Sequence, residues 1–369
     1  MQEGTRKIAI VSGARKPRLA AMLRTLSDQL SDRQSLTPPQ IKDAVGQLAD
    51  ESVPAHIKAV FLTRLADKGE TIEEIAAFAS ELRSLSVRPE LPASLRDRDI
   101  LDVCGTGGDR LNTFNISTTV ALVVAAAGVP VAKHGNRAIT SASGSADVLE
   151  ALGIRIDLPP ADAARWLGEH NFAFFYAPQY HPAFKHIAPA RKLCAEKGQR
   201  TLFNFLGPLL NPARPTAQLL GVSRSHLCEP LARVLQSLGT RRAMVVCGEV
   251  QDAWLDELST LGKNTIAEFY QDRGFSVSTL SPSDLPLQPA RLDDLIGGDK
   301  FTNASLIRKI LEGADRGPRR DAVQLNGGAA LFLAGHSKSV VEGWDQIAEI
   351  IDSGRAIQKL DSLIAASVS

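Results

Sequence analysis

The sequence predicts an α/β protein, with a small helical N-terminal domain ahead of a larger domain built on a mainly parallel central sheet. Three observations carry this. From about residue 18 to 88 apolar residues recur at the 3.6-residue period of amphipathic helices. Beyond residue 100 short apolar runs alternate with helical stretches, the order that makes a parallel sheet covered on both faces. Glycine- and hydroxyl-rich segments follow directly on several of those runs, where open parallel sheets bind ligands. The boundary is expected in the connector that holds Pro89, Pro92 and the charged residues 96–99, giving domains 1–95 and 96–369.

The helical elements come first. Leu19, Met22, Leu23, Leu26 and Leu30 share one helix face. Thr37-Pro38-Pro39-Gln40 reads as an N-cap, a proline at the first helical position and a capping-box glutamine, and Ile41, Ala44, Val45 and Leu48 continue that helix. Ile57, Val60, Phe61 and Leu65 form a third stripe that stops at Gly69, a residue suited to a left-handed helix end. Thr71 and Glu74 make another capping box ahead of Ile72, Ile75, Phe78, Leu82 and Leu85. Strands are then expected at 100–104, 129–133, 172–176, 219–222 and 243–247, with helices at 117–127, 146–152 and 226–238.

Composition narrows the function. Among 369 residues, 42 Lys and Arg face 41 Asp and Glu, a net charge of +1, so no general field draws nucleic acid or an anionic membrane. An anion site has to be built locally. The four cysteines, Cys104, Cys194, Cys228 and Cys247, show neither zinc spacing nor a disulfide framework, which points to a reducing, cytoplasmic setting. The longest apolar run, 120–132, is broken by Gly128 and Pro130 and is shorter than the ~20 residues of a membrane span. The N-terminus, with Glu3, Arg6 and Lys7, makes a poor signal peptide. Asn115-Ile-Ser117 and Asn303-Ala-Ser305 are then chance matches to the glycosylation pattern.

Four segments carry candidate chemistry. After the first expected strand, Gly105-Thr106-Gly107-Gly108-Asp109 allows a tight turn with bare amides aimed at an anion, and Asn115-Ile116-Ser117-Thr118 opens a helix with hydroxyls and free amides. An ordinary strand-to-helix turn is the alternative, and neither the Rossmann nor the Walker pattern fits. Lys133-His134-Gly135-Asn136 follows the next strand and offers phosphate a point charge and close backbone approach; a solvated loop is its bland counterpart. Ser141 to Asp147 is a third hydroxyl-rich helix entry. Asp256-Glu257 suits Mg²⁺, which takes one or two carboxylates and leaves its other positions to water and phosphate, or is plain surface charge. Arg191 has the planar fork that grips a carboxylate, or lies on the surface as most arginines do.

In order, these segments resemble the anthranilate phosphoribosyltransferases. The likeness rests on Gly-Thr-Gly-Gly-Asp at 105–109, Thr113-Phe-Asn-Ile-Ser-Thr118, Lys133-His-Gly-Asn136, Ser143-Gly-Ser-Ala-Asp147, Phe203-Asn-Phe-Leu-Gly-Pro-Leu209 and Leu255-Asp-Glu-Leu-Ser259, with Lys68-Gly-Glu-Thr71 in the helical part. It implies the fold of nucleoside-phosphorylase-like phosphoribosyltransferases, a helical domain completed by a segment near 180–199, and a homodimer through that domain. It implies that Gly105, Gly107, Gly108, Asp109, Thr113, Asn115, Ser117, Thr118 and Lys133 hold phosphoribosyl pyrophosphate. Ser117, Asp256 and Glu257 would organise Mg²⁺, and Asn136, His181, Arg191, Gly207 and Pro208 would place anthranilate. The chain departs from the family pattern at Arg110, at Trp254, in about three extra residues between Arg191 and Arg200, and at Asn326-Gly327-Gly328.

The implied reaction joins the anthranilate amine to C1 of the ribose and releases pyrophosphate, in tryptophan biosynthesis. Its main demand is electrostatic, because a polyanion leaves. An aromatic amine is neutral at pH 7, so no residue is assigned as a general base. Two other readings share the fold: a pyrimidine nucleoside phosphorylase, which needs neither the acidic pair nor Arg191, and a nucleic-acid-binding paralogue, which the charge and the 5% aromatic content disfavour.

Overall fold

The computed structural model describes residues 15–138, 142–271 and 273–368, with side chains from residue 21. The expectations for the first fourteen residues, for the Leu19 side chain and for Ser141 lie outside these. By its contacts the chain divides into two compact units. One holds the residues up to Glu81 together with Ala183–Phe203; the other holds Leu82–Pro182 and the chain from Asn204 onward. The division falls before the proline-rich connector because that connector belongs to the larger unit: Val87 N–H donates to the Tyr180 carbonyl at 2.8 Å, and Leu95 is buried in the α/β core.

The helical unit contains α1 (Arg15–Ser31), α2 (Pro38–Ala49), α3 (Ala55–Lys68), most of α4 (Ile72–Ser84) and, from the inserted segment, Phe184–Glu196, which is α9 in chain order. Leu23, Leu26, Leu30, Ile41, Leu48, Phe61, Leu65, Ile75 and Phe78 form its buried faces. Met22 and Val60, expected on those faces, are 40% and 51% exposed, since the buried arc is narrower than the apolar stripe. The corner between α3 and α4 is a full capping box. Glu74 N–H donates to Thr71 Oγ1 at 3.2 Å, and Glu74 Oε2 accepts from Thr71 N–H at 2.9 Å and from the buried Lys68 ammonium at 2.6 Å. At α2 the expected box has its glutamine half in Gln40 Oε1, which accepts from Thr37 N–H at 2.9 Å.

In the larger unit β1 (Leu101–Gly105) leads to α5 (Ile116–Ala126), β2 (Val131–Gly135), α6 (Ser145–Ala151), α7 (Pro160–His170), β3 (Phe172–Tyr176) and the short α8 (Ala177–Tyr180). After the insertion come α10 (Phe203–Leu206), β4 (Ala217–Gly221), α11 (Cys228–Ser237) and β5 (Arg242–Val250). The chain then runs through β6 (Ala253–Leu255), β7 (Asn264–Tyr270), β8 (Gly274–Leu280), α12 (Leu292–Leu295), α13 (Lys300–Leu311), α14 (Pro318–Leu333), α15 (Val340–Asp352) and α16 (Arg355–Ser367). The sheet order is β3-β2-β1-β4-β5-β7-β8, with β6 paired to β5. The five strands from β3 to β5 are parallel, and β6, β7 and β8 add an antiparallel extension that the periodicity did not indicate. α5 is buried along nearly its whole length under α14 and α16, which is why its sequence is apolar all round.

Candidate active site

Strand order reverses at β1. The chain steps outward through β2 and β3, then returns to place β4 on the other side of β1, and such a switch point opens a crevice at the C-terminal strand ends. The two strands that flank it end in paired glycines, Gly105 and Gly221. Neither position has room for a side chain. A Cβ at Gly221 would fall on the Asp256 carbonyl, and one at Gly105 would strike the Asp256 carboxylate. The Asp256-Glu257 segment therefore crosses the switch point in direct backbone contact.

The glycine loop turns beneath it. Gly107 and Gly108 adopt φ of +74° and +85°, the left-handed region that glycine enters without strain, and Gly107 N–H donates to Asp256 Oδ2 at 2.5 Å. Asp109 Oδ1 accepts from Leu111 N–H at 3.2 Å. Arg110 continues the left-handed turn at φ 64°, so the residue that departs from the family pattern occupies a glycine-favouring conformation. At the far end Thr113 bridges to Ile296, and Phe114 N–H donates to the Leu295 carbonyl at 2.9 Å.

The hydroxyl-rich helix start meets the same acidic pair. Ser117 N–H, in the first turn of α5, donates to Glu257 Oε1 at 3.1 Å. Lys133, at the buried end of β2, donates to the Val103 carbonyl at 2.7 Å and to Ser117 Oγ at 3.3 Å. Asn115 is held at both ends of its amide: Nδ2 donates to the Ser143 carbonyl at 3.1 Å, and Oδ1 accepts from Asn303 Nδ2 at 2.9 Å. Thr118 is buried with its hydroxyl unpartnered. One connected cluster thus contains Gly105, Gly107, Asp109, Ser117, Lys133, Asp256 and Glu257.

Its charges do not balance. Burial pushes the Glu257 carboxyl up to about 7, against the pull of Lys133 and Ser117. Burial and then the neighbouring Asp109 carboxylate push Asp256 well above the usual carboxylate range. Burial also lowers Lys133, a cation packed among them. Among the described residues no three His, Cys, Asp or Glu side chains are spaced to enclose a metal by themselves. The donor set nevertheless fits a hard divalent cation. Asp109 and Asp256 are crowded together, and a cation that draws its other oxygens from phosphate and water would relieve the repulsion between them.

Further along the same sheet edge, His134 and His181 face each other with 3.2 Å between their Nε2 atoms. Burial lowers His134 to about 3 and His181 to about 4, opposed by backbone hydrogen bonds with Gly207 and Leu210 respectively. The 3₁₀ turn Gly207–Leu210 is gripped twice more, Pro208 O accepting from Gln218 Nε2 at 2.8 Å and Leu209 O from the buried Arg83 Nε at 2.5 Å. His181, Gly207 and Pro208 are thereby brought together, and Asn136 follows β2 at its edge. Arg191 belongs to the helical unit, on α9.

Sequence reasoning missed the residues that brace these parts. Asn211 Nδ2 donates to Asp102 Oδ2 at 3.0 Å and to the Ala132 carbonyl at 2.7 Å, tying the turn to β1 and β2. Asn326 on α14 clamps Leu258 through both its N–H and its carbonyl, at 2.9 Å each, just beyond the acidic pair. Asn303, set aside as a chance glycosylation match, fixes Asn115. A polar residue amid an apolar helical run was the available signal, visible at Asn326 alone.

A glycine loop, a hydroxyl-rich helix start and a carboxylate pair at the switch point of such a sheet define a transferase that handles a phosphorylated sugar. Residues 97–357 match the family described as "Glycosyl transferase family, a/b domain", and residues 24–86 match "Glycosyl transferase family, helical bundle domain". The anthranilate phosphoribosyltransferase of Lacticaseibacillus casei (strain BL23) is 44% identical over 346 residues, 94% of this chain and 98% of that protein. Among solved structures, the anthranilate phosphoribosyltransferase (TrpD) of Thermus thermophilus superposes with a TM-score of 0.84 at 38% identity, covering 93% of this chain and 99% of that one. The Saccharomyces cerevisiae enzyme in complex with PRPP and Mg gives 0.83 at 27% identity, covering 94% and 98%. The same yeast enzyme with 4-fluoroanthranilate gives 0.82 at 27% identity, covering 95% and 98%. The chain belongs to the anthranilate phosphoribosyltransferase family.

Proposed function

We propose that the chain transfers the phosphoribosyl group of phosphoribosyl pyrophosphate to the amine of anthranilate, releasing pyrophosphate in the tryptophan pathway, with Mg²⁺ as cofactor. The observation that carries this is the Asp256-Glu257 pair, held across the switch point against Gly105, Gly107, Gly221 and Ser117. When bound there, Mg²⁺ would neutralise charge on the pyrophosphate. Asp256 and Glu257, with Ser117, would hold it, and Asp109 would add to the anionic pull.

The remaining roles follow the chemistry of each group. The amides of Gly105, Gly107 and Gly108, with Asp109, Thr113, Asn115, Ser117, Thr118 and Lys133, bind and orient the sugar diphosphate. Lys133 brings a desolvated positive charge, which acts more strongly than it would in water. Asn136, His181, Gly207 and Pro208 place the anthranilate ring, and Arg191 takes its carboxylate. The C1–O bond breaks with its electron pair leaving on pyrophosphate, the amine nitrogen bonds C1, and the amine proton passes to solvent. Orientation of the neutral amine supplies much of the acceleration.

We read the protein as a cytoplasmic homodimer formed through the helical unit. The exposed Met22 and Val60 on that unit support the second point, and four free, buried cysteines support the first. Among the described residues no helix is long and apolar enough to cross a membrane.

The test is consumption of anthranilate fluorescence by purified protein, with and without phosphoribosyl pyrophosphate and Mg²⁺. Activity should require both. The double variant Asp256→Asn, Glu257→Gln should keep its circular dichroism, lose about 10²-fold or more in rate and no longer respond to Mg²⁺. Wild-type rate and metal response in that variant would refute the assignment.

A further inference from the structure

Arg191 is half-buried on α9, and its guanidinium makes no hydrogen bond or ion pair with any described residue. Desolvation lowers its pKa with no opposing carboxylate. A guanidinium removed from water without an acceptor is costly unless something else faces it. What faces it is an aromatic ring: its carbon Cζ lies 5.4 Å from the centroid of Phe203, which is itself buried. That ring is held in turn. Phe184, in the first turn of α9, meets it edge-on, with centroids 5.5 Å apart and planes at 87°.

The helix that carries Arg191 is fixed independently. Lys58, buried in α3, donates to the His186 carbonyl at 2.9 Å and to the Asp50 carbonyl at 2.7 Å. One turn after Arg191, Cys194 Sγ donates to the Ala59 carbonyl at 3.6 Å. Beyond this anchor come the last turn of α9 and its cap, with Gly198 at φ +68° and Gln199 N–H donating to the Cys194 carbonyl at 3.0 Å. The chain then comes back to place Phe203 against Arg191.

We propose that Phe203 is the positioning residue for the anthranilate carboxylate. Its ring face stacks on Arg191, stabilises the unpaired cation before substrate arrives and holds the guanidinium fork open for a planar carboxylate. A flat hydrophobic support leaves all five N–H donors available, which a carboxylate partner at the same place would not do. The inference rests on the reading of Arg191 as the carboxylate ligand, and the test separates the two.

A double-mutant cycle with steady-state kinetics decides it. Arg191→Ala should raise the KM for anthranilate strongly. Phe203→Leu should raise it roughly 5–20-fold, leaving kcat and the KM for phosphoribosyl pyrophosphate unchanged. Phe203→Tyr, which keeps the π face, should stay close to wild type. In the Arg191→Ala background, Phe203→Leu should add nothing. Pentafluorophenylalanine at position 203 keeps the shape and inverts the ring quadrupole, so it should raise the KM as leucine does even where the leucine variant folds poorly. A wild-type KM in Arg191→Ala overturns the reading of Arg191. A raised KM there, with no effect of pentafluorophenylalanine or with an undiminished effect of Phe203→Leu in the double variant, overturns the role of Phe203 alone.

Discussion

Two histidines packed side by side show how a site residue can also limit stability. His134 and His181 are held neutral, at about 3 and about 4, so neither supplies an ionisable group near pH 7. Each has a folded pKa below its unfolded value of about 6.5. Their contribution to stability is whole above pH 6.5. As pH falls the unfolded chain takes up protons that the folded chain refuses, and the contribution is lost by about pH 4 for His181 and about pH 3 for His134. Across that window each should cost about 1.4 kcal/mol per pH unit. Urea unfolding of His181→Gln between pH 6.5 and 4.5 should therefore show a slope shallower by about that amount; an unchanged slope would contradict the account. At this scale the sequence was legible where chemistry is written into residue type, as with Lys133 or Asp256-Glu257. It was silent on which neighbours desolvate them, because those come from β1, α5 and α14.

Loops between elements are set by what their glycines permit. Gly105 and Gly207 were both named from the sequence, and they make opposite predictions. A methyl at Gly105 collides with Asp256, so Gly105→Ala should raise the KM for phosphoribosyl pyrophosphate about 10-fold or more and weaken the Mg²⁺ response. A methyl at Gly207 meets nothing within 4 Å, so Gly207→Ala should keep the melting temperature of the wild type. It should instead raise the KM for anthranilate, by occupying space the ligand needs; an unchanged KM would remove Gly207 from the site. The capping-box corner is the same kind of local device. Glu74 joins α3, α4 and the chain before α2 through Lys68, Thr71 and Leu36, all by bonds to its buried carboxylate. Glu74→Ala should destabilise the protein by about 3–5 kcal/mol, since it strands a buried ammonium. That corner was readable in advance because Thr-x-x-Glu is local. The third acceptor contact, from Leu36, was not, as it spans 38 positions.

Across the whole molecule, the sheet gathers the loops and the C-terminal helices brace them. α14 passes under α5 and reaches Leu258 through Asn326, then crosses α15 so closely that Gly328 and Gly343 touch backbone to backbone. The Gly327-Gly328 pair that departs from the family pattern is explained by this crossing: a methyl at 327 would meet Ile347, and one at 328 the Val340 carbonyl. Gly328→Ala should lower stability by about 1–3 kcal/mol in thermal unfolding. Because α14 also anchors the acidic segment, the same variant should raise the KM for phosphoribosyl pyrophosphate. Equal stability with an unchanged KM would show that the close crossing does not matter.

The sequence by itself determined the helical faces, the five parallel strands and the order of the polar segments that end them. Periodicity, caps and glycines act over a few residues, and a strand buried on both faces announces itself by its apolar run. Its limits have the same cause. β7 and β8, at the sheet edge, alternate weakly because β8 is largely exposed, and so they left no clear run to read. Only the tertiary structure decided that β1 and β4 lie side by side, that Asp256 rests on the two glycines between them, and that Arg191 faces a ring instead of a carboxylate. Each of these contacts joins distant parts of the chain or answers a charge through packing, and no local pattern encodes where such partners will meet.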